Sequence, residues 1–109
     1  MSTDRDRIRT LNDQLRRNLL GGKAVMTPGV AALGTDAVQR LVQTIAVFDD
    51  FCTANDPHGE HDFGNFEVDG RKFFWKIDHY DAAMEFGSED PADPTKTTRV
   101  LTIMLASEY

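Results

Sequence analysis

The sequence predicts an α+β domain in which two or three helices pack on a small antiparallel sheet of about three strands, with a central β-hairpin. Apolar residues recur at helical spacing in residues 4–20 and again in residues 35–48. In residues 64–80, apolar and polar side chains alternate on both sides of an Asp-Gly pair. A chain of 109 residues is long enough for one core, so we expect a single domain spanning residues 1–109.

The first predicted element is an amphipathic helix over residues 4–20. Its narrow apolar stripe consists of Ile8, Leu11, Leu15 and Leu19. The other faces of the helix carry most of the arginines of this segment, and Gly21-Gly22 ends the helix. We therefore expect residues 1–22 to form a semi-detached N-terminal helix. The stripe could pack on the rest of the domain, on a second copy or on an acidic surface, and packing on a second copy would give a homodimer through residues 4–20.

Residues 23–34 are small and apolar and are interrupted by Pro28-Gly29, which predicts a short strand and a turn. A second helix follows. Thr35 is a favourable N-cap, and apolar residues continue on one face toward Val47 or Phe48, namely Val38, Leu41, Val42 and Ile45.

The strongest local signal is the hairpin around Asp69-Gly70, a pair typical of a type I′ turn. A two-residue loop sets Phe66 opposite Phe73 and puts the core on the face that carries Phe73, Trp75 and Ile77. If the pairing continues, His61 comes to lie opposite Asp78.

The C-terminal segment, residues 97–106, allows two interpretations. Its Thr, Val and Ile content favours a strand that joins the hairpin. Asp93-Pro94 would instead be a suitable helix start. We favour the strand.

Charge is distributed unevenly along the chain. The whole chain carries −6, whereas residues 1–23 carry three more basic than acidic residues, which leaves −9 on residues 24–109. This acidity disfavours direct nucleic-acid binding and suits a basic protein partner, a metal ion or simple solubility.

Targeting signals are missing from the sequence. No apolar run approaches the ~18 residues of a membrane span, the N-terminus lacks the apolar core of a signal peptide, and Cys52 is the single cysteine. We therefore expect a cytoplasmic protein with no membrane association.

The polar loop between Asp49 and Gly64 contains the residues best suited to chemistry. Histidine and carboxylate side chains bind divalent metals, and the candidate ligands here are Glu60, His61, Asp62 and Asp78. Their spacing matches no common metal motif. Two other interpretations stay open: these side chains hydrogen-bond the loop backbone, or His61 acts in acid–base catalysis. No cofactor other than a divalent metal is indicated.

A second set of residues is a candidate interaction surface. It combines polar residues of the loop with the outer face of the hairpin strand and its end, and consists of Asp56, His58, Lys76, Tyr80 and Asp81.

Several long motifs resemble those of one family. They are NDPHGEHDFG at residues 55–64, WKIDHYD at residues 75–81, GSEDP at residues 87–91 and TRVLTIMLASEY at residues 98–109. Together they are similar to an uncharacterised bacterial domain family of unknown function, mainly alphaproteobacterial and often plasmid-borne. His79 stands where the resemblance implies a second tyrosine, which argues against His79 as a required ligand.

These observations leave three classes of function. We favour a non-catalytic protein-binding accessory protein of mobile genetic elements, whose protein partner the sequence does not identify. The alternatives are a small metal-dependent hydrolase that uses Glu60, His61, Asp62 and Asp78, and a structural domain that self-associates.

Overall fold

The structure, a computed structural model, describes residues 3–109. Within that range the chain forms three α-helices, four strands and a C-terminal 3₁₀ turn, in the order α1 (Asp4–Asn18), β1 (Gly22–Met26), α2 (Pro28–Ala31), α3 (Thr35–Ala46), β2 (Phe63–Val68), β3 (Arg71–Asp81), β4 (Thr97–Leu105) and the turn Ala106–Glu108. The α+β class is therefore confirmed. No helix in the described part of the chain has the length and apolar character that a membrane crossing requires.

The sheet has four strands in the order β1-β4-β3-β2. The expectation of about three antiparallel strands is thus wrong in number and in direction, because β1 pairs parallel to β4 while the other pairs are antiparallel. A parallel pair needs a long crossover connection, and here α2, α3 and the whole hairpin lie between the two strands. The short strand expected between residues 23 and 34 is present, but its partner lies too far away in the sequence to be read from local pattern.

The hairpin and the C-terminal strand agree with the sequence analysis. Asp69 and Gly70 have φ angles of 53° and 78°, as a type I′ turn requires, and Phe66 lies opposite Phe73. Residues 97–105 form β4, which pairs with β3 along nine residues. A helix after Asp93-Pro94 is therefore excluded.

The two longer helices begin with different caps. In α1 the Thr3 hydroxyl accepts a hydrogen bond from the Asp6 amide, and the helix ends at Leu19 in the left-handed conformation. In α3 the cap is Gly34, with Thr35 as the first helical residue, so the expected Thr35 cap is wrong by one position. The φ of Gly34 is 95°, which a glycine adopts without strain.

The core lies between the helices and one face of the sheet. All three helices contribute to it, since Leu15 of α1, Val30 of α2, and Leu41 and Ile45 of α3 pack with buried residues of β3 and β4, namely Phe73, Trp75, Ile77, Leu101 and Ile103. Burial of these side chains is the main favourable term in folding.

Trp75 at the centre of the core requires a glycine beside it. Gly64 is paired with Trp75, and a Cβ atom at Gly64 would lie 2.3 Å from the Trp75 Nε1 atom. The Phe48 ring approaches the same position and meets the indole edge-on. Gly64 is therefore needed for close packing here rather than for backbone freedom.

Candidate functional site

The polar loop between α3 and β2 is organised by a buried carboxylate. Asp56 Oδ1 accepts hydrogen bonds from the amides of Glu60 and His61, both at 3.1 Å. His61 itself has a φ of 55°, a left-handed conformation that is uncommon for a histidine. The two hydrogen bonds to Asp56 hold this turn and direct the His61 ring toward α1.

The His61 imidazole lies between two carboxylates. Its Nδ1 atom is 3.0 Å from Asp13 Oδ1, and its Nε2 atom is 3.8 Å from Asp56 Oδ2. The ring stacks on Phe51 with a centroid separation of 3.7 Å. Because a carboxylate accepts at Nδ1, that nitrogen carries a proton.

Arg16 joins this cluster to the end of α3. Its Nη2 atom donates to Asp13 at 2.8 Å, and its Nη1 atom donates to the carbonyls of Ile45 and Phe48. The side chain is fully buried, so these acceptors replace the water that its charge has lost. The arrangement ties α1 to α3 as well as to the loop.

A second polar network lies where α1 crosses the sheet. Asn12 Oδ1 is 3.0 Å from His79 Nε2 and accepts from Arg99 Nε at 3.1 Å, while Asn12 Nδ2 donates to the Glu60 carbonyl. Arg99 also donates to the Pro91 carbonyl. Burial, and then the charge of Arg99, lower the pKa of His79 to about 4. His79 is therefore neutral at pH 7 and donates from Nε2.

Two of the four predicted metal ligands have other partners. The His61 ring contacts α1, and Asp78 pairs with Lys76 at 3.0 Å. The last hydrogen bond between the two strands joins the Ile77 amide to the Asp62 carbonyl, and the left-handed φ of His61 ends the pairing before His61 and Asp78. Burial raises the pKa of Glu60 and of Asp62, and each of the two is raised further by neighbouring acidic groups.

Among residues 3–109, no group of three or more His, Cys, Asp or Glu side chains is arranged to hold a metal ion. A metal role for Glu60, His61, Asp62 and Asp78 stays a prediction.

The predicted interaction residues are spread over the molecule. Asp56 is buried and organises the loop, whereas His58 is exposed. Lys76 and Tyr80 lie on the sheet face opposite the core, and Asp81 accepts a hydrogen bond from the Glu85 amide in the turn that follows β3. Their role as one interaction surface stays a prediction.

The polar side chains of the loop thus form a structural hydrogen-bond network. A histidine between carboxylates resembles part of a catalytic triad, but the hydrogen-bond partners of His61 within the described chain are carboxylates, with no hydroxyl or thiol among them. Cys52 is exposed, and the Asn55 side chain accepts from its amide. The geometry fits the interpretation in which these polar groups hold the loop against α1 and the sheet.

Sequence reasoning missed the residues of α1 that complete these networks. The buried face of the helix includes Asn12 and Arg16 next to Ile8 and Leu15. A signal was present: Ile8, Asn12 and Leu15 recur every three to four residues, so a polar residue sits within the apolar stripe.

A different surface, which the sequence did not single out, is apolar and exposed. We call it the β1 edge, and it consists of β1 and the two leucines that precede it. All five residues of β1 are exposed, and the large apolar side chains retain exposures of 47% for Leu19, 62% for Leu20, 44% for Val25 and 42% for Met26. Exposed apolar residues that cluster in this way mark interaction sites more often than scattered ones do.

An apolar pocket of about 220 Å³ adjoins the β1 edge. It lies between the C-terminal half of α1, the C-terminal half of α3 and the strands β1 and β4. Its lining is almost entirely aliphatic, with Arg16 as the charged residue, and includes Leu19, Met26, Val42, Ile45, Leu101 and Ile103.

Comparison with known proteins identifies a family but no activity. No curated protein and no solved structure shows significant similarity to the chain. The profile of one family, described as a protein of unknown function (DUF3768), matches residues 26–108, which include most of the sheet, α3 and the polar loop. Because this match covers well over half of the chain, the protein belongs to the DUF3768 family of proteins of unknown function.

Proposed function

We propose that the protein is a non-catalytic protein-binding module that accepts a strand of its partner along β1. The observation that supports this most is the free edge of the sheet. β1 is the last strand on its side, and all five of its residues are exposed. An exposed edge strand is a template for pairing with another chain, and several peptide-binding domains use this mode.

The main chain of β1 has groups available for such pairing. The Thr27 amide donates to the Ile103 carbonyl at 3.1 Å, so Thr27 faces β4. Successive residues of a strand direct their main-chain groups to opposite sides, and the amides and carbonyls of Ala24 and Met26 therefore point away from β4. A partner strand would hydrogen-bond to these groups.

Side chains and charge define the chemistry of the partner. The β1 edge offers Leu19, Leu20, Val25 and Met26 to apolar side chains. Residues 14–35 carry two exposed basic side chains, Arg17 and Lys23, and no acidic residue, although the whole chain is acidic. We therefore expect an apolar strand flanked by Asp or Glu, not the basic partner that the net charge alone favours.

The resemblance to plasmid-borne bacterial proteins adds a setting to this proposal, an accessory protein of mobile genetic elements. A self-associating domain would use the same mode of strand addition, with β1 of a second copy as the added strand. The hydrolase has weaker support, because Asp13 and Asp56 already hold the His61 ring.

The test is a selection of binders from a library of extended peptides, followed by amide exchange of the complex. We expect apolar peptides with acidic flanks to bind, and the Ala24 and Met26 amides to exchange more slowly in the complex. The Ala24→Pro variant removes one outward amide at a position where proline is tolerated, and it should weaken binding by at least about tenfold.

The matched control is Asn65→Pro on β2, the strand at the opposite edge of the sheet. The Ile77 amide donates to the Asp62 carbonyl, which places Asn65 with its amide outward in the same sense as Ala24. Asn65→Pro should bind as the unmodified protein does. Equal binding by Ala24→Pro, or protection of β2 amides instead, would contradict the proposal. A dimer that Ala24→Pro dissociates would favour self-association.

A further inference from the structure

The strand at the other edge of the sheet, β2, has the composition that the proposed function requires of a partner strand. β2 is the last strand on its side in the described chain. With one residue on each side it reads DFGNFEVD, residues 62–69, in which the apolar residues lie between two aspartates and Glu67 is a third acidic residue. No basic residue occurs in this segment. Residues 14–35, which contain the β1 edge, show the opposite pattern, with Arg17 and Lys23 exposed and no acidic residue.

The main chain of β2 can take part in pairing. The Ile77 amide donates to the Asp62 carbonyl at 2.8 Å, so Asp62 and every second residue after it face β3. The amides and carbonyls of Phe63, Asn65 and Glu67 therefore point away from β3. No main-chain group in the described part of the chain accepts a hydrogen bond from these three amides.

The two edge strands run in the same direction. β1 is parallel to β4, and β4 and β2 are each antiparallel to β3. A second copy that is shifted along the sheet by about 19 Å, which is four strand spacings, therefore places its β2 beside β1 as a parallel strand. The helices of both copies then lie on the same side of one continuous sheet.

One register pairs every residue of β1 with residues 64–68 of the second copy. Opposite residues of paired strands point their side chains to the same face of the sheet. Ala24 and Met26 lie on the face that the helices cover, and so do Phe66 and Val68. The register that keeps all of β1 within β2 therefore sets Ala24 beside Phe66 and Met26 beside Val68, as two apolar pairs.

Charge favours this pairing over the pairing of two like edges. On the open face of the sheet, Lys23 lies diagonally across from Glu67 of the second copy, at roughly 8 Å, a distance that long side chains bridge. The Lys23 Nζ atom contacts the Met84 sulfur at 3.5 Å and has no carboxylate partner among residues 3–109. Two β1 edges would oppose basic side chains, and two β2 edges would oppose acidic ones, which destabilises a strand pair.

We propose that the partner strand is β2 of a second copy, so that the protein assembles head to tail through the two edges of its sheet. This inference rests on the proposed function, because it uses the same strand addition along β1. Each added copy leaves one β1 and one β2 unpaired at the ends of the assembly. Because strands twist by roughly 20–25° each, the copies follow one another as an open helical array and do not close as a dimer.

The test uses two variants that each block one edge. Ala24→Pro removes an outward amide of β1, and Asn65→Pro removes an outward amide of β2. In sedimentation velocity, the unmodified protein should grow in size with concentration, and each variant alone should be a monomer. An equimolar mixture of the two variants should give a dimer and nothing larger, because β1 of Asn65→Pro can pair only with β2 of Ala24→Pro.

Charge-reversed variants keep the test independent of the proline substitutions. Lys23→Glu and Glu67→Lys should each weaken assembly about three- to tenfold at low salt, and the double variant should assemble more tightly than either. Lys96→Glu, at an exposed position in the turn before β4, is the matched control and should assemble as the unmodified protein does.

The proposal is overturned if the unmodified protein is a monomer at every concentration, or if the mixture of the two proline variants stays monomeric. A dimer of Asn65→Pro alone would overturn it in favour of pairing between two β1 strands, and a dimer of Ala24→Pro alone in favour of two β2 strands. Peptide binding along β1 by a protein that never assembles would overturn this inference and leave strand addition with another partner intact. Neither peptide binding nor assembly would contradict both.

Discussion

Buried polar side chains hold this small domain together at the scale of single residues. Asn12, Arg16 and Arg99 are almost fully buried, and their hydrogen bonds go to different elements. Asp13 accepts from Arg16 and from His61, so its carboxylate joins α1 to the polar loop and holds the arginine that donates to the end of α3. Such groups are costly to bury and stabilise the fold only when their partners are present. The candidate site is therefore part of the architecture.

His79 makes stability depend on pH at this scale. Its pKa is about 4 in the folded chain and 6.5 without the fold, so the unfolded chain binds more protons between those values. The contribution is present above about pH 6.5 and is lost as the pH falls toward 4. After allowance for partial exposure, we expect the loss to be roughly 2 kcal/mol. The raised pKa values of Glu60 and Asp62 act in the opposite sense and offset part of it.

Urea unfolding at pH 7 and at pH 4.5 checks this prediction with His79→Gln, which keeps a donor for Asn12 and does not titrate. The variant should lose less stability between the two pH values than the unmodified protein. An identical loss in both would show that His79 does not cause it. His58→Gln, at an exposed position, is the control for loss of a histidine and should change the pH dependence much less than His79→Gln does.

At the scale of elements, Glu108 in the turn after β4 fastens the connection between β1 and α2 to the end of β4. The Glu108 carboxylate accepts from the Thr27 hydroxyl at 2.6 Å, from the Gly29 amide at 3.2 Å and from the Leu105 amide at 2.9 Å. The pKa of Glu108 is lowered chiefly by the hydrogen bond from Thr27, with the amides adding to it. One side chain thus joins the end of β4 to the connection that follows β1.

Glu108→Ala should loosen this junction, because three donors lose their acceptor. We expect the thermal midpoint to fall by a few degrees and the amides of Gly29 and Leu105 to exchange faster. Glu108→Gln, which retains one oxygen, should give a smaller change. The exposed Glu67→Ala on β2 is the control for loss of a carboxylate and should leave Gly29 unaffected. Unchanged exchange of the Gly29 and Leu105 amides in Glu108→Ala would contradict this role of Glu108.

At the scale of the whole molecule, α1 and the sheet share one core. Leu15 is completely buried in the cluster that contains Trp75, and Asn12 and Arg16 lie beside it. The prediction of a semi-detached helix placed Leu11 and Leu19 on its apolar face together with Ile8 and Leu15. Leu19 is half exposed in the structure. The buried face instead includes two polar residues whose hydrogen bonds reach the loop and α3.

A chain that begins at Gly22 should therefore fail to fold cooperatively. It loses Leu15 from the core and leaves Ile45, Phe48 and Glu60 without the donors that now bind their carbonyls. Trp75 fluorescence during urea unfolding measures this, with a chain that begins at Thr3 as the control. A cooperative transition in the shorter chain would instead support a semi-detached helix at residues 1–22.

Local chemistry accounts for the parts of the fold that were predicted correctly. The hairpin register follows from Asp69-Gly70, because both residues adopt the positive φ angles of a type I′ turn. The strand over residues 97–105 follows from its β-branched residues, and α1 and α3 follow from apolar spacing. Each of these features depends on residues that are close in the sequence.

The sequence by itself thus determined the α+β class, the hairpin and the candidate residues of the polar loop. Only the tertiary structure decided their roles. It paired β1 with β4 across most of the chain, with no further strand beside β1 among residues 3–109, and it directed His61 to Asp13, 48 positions away. The physical reason is that local pattern records which face of an element is apolar, whereas contacts between distant elements depend on how all the apolar faces pack together.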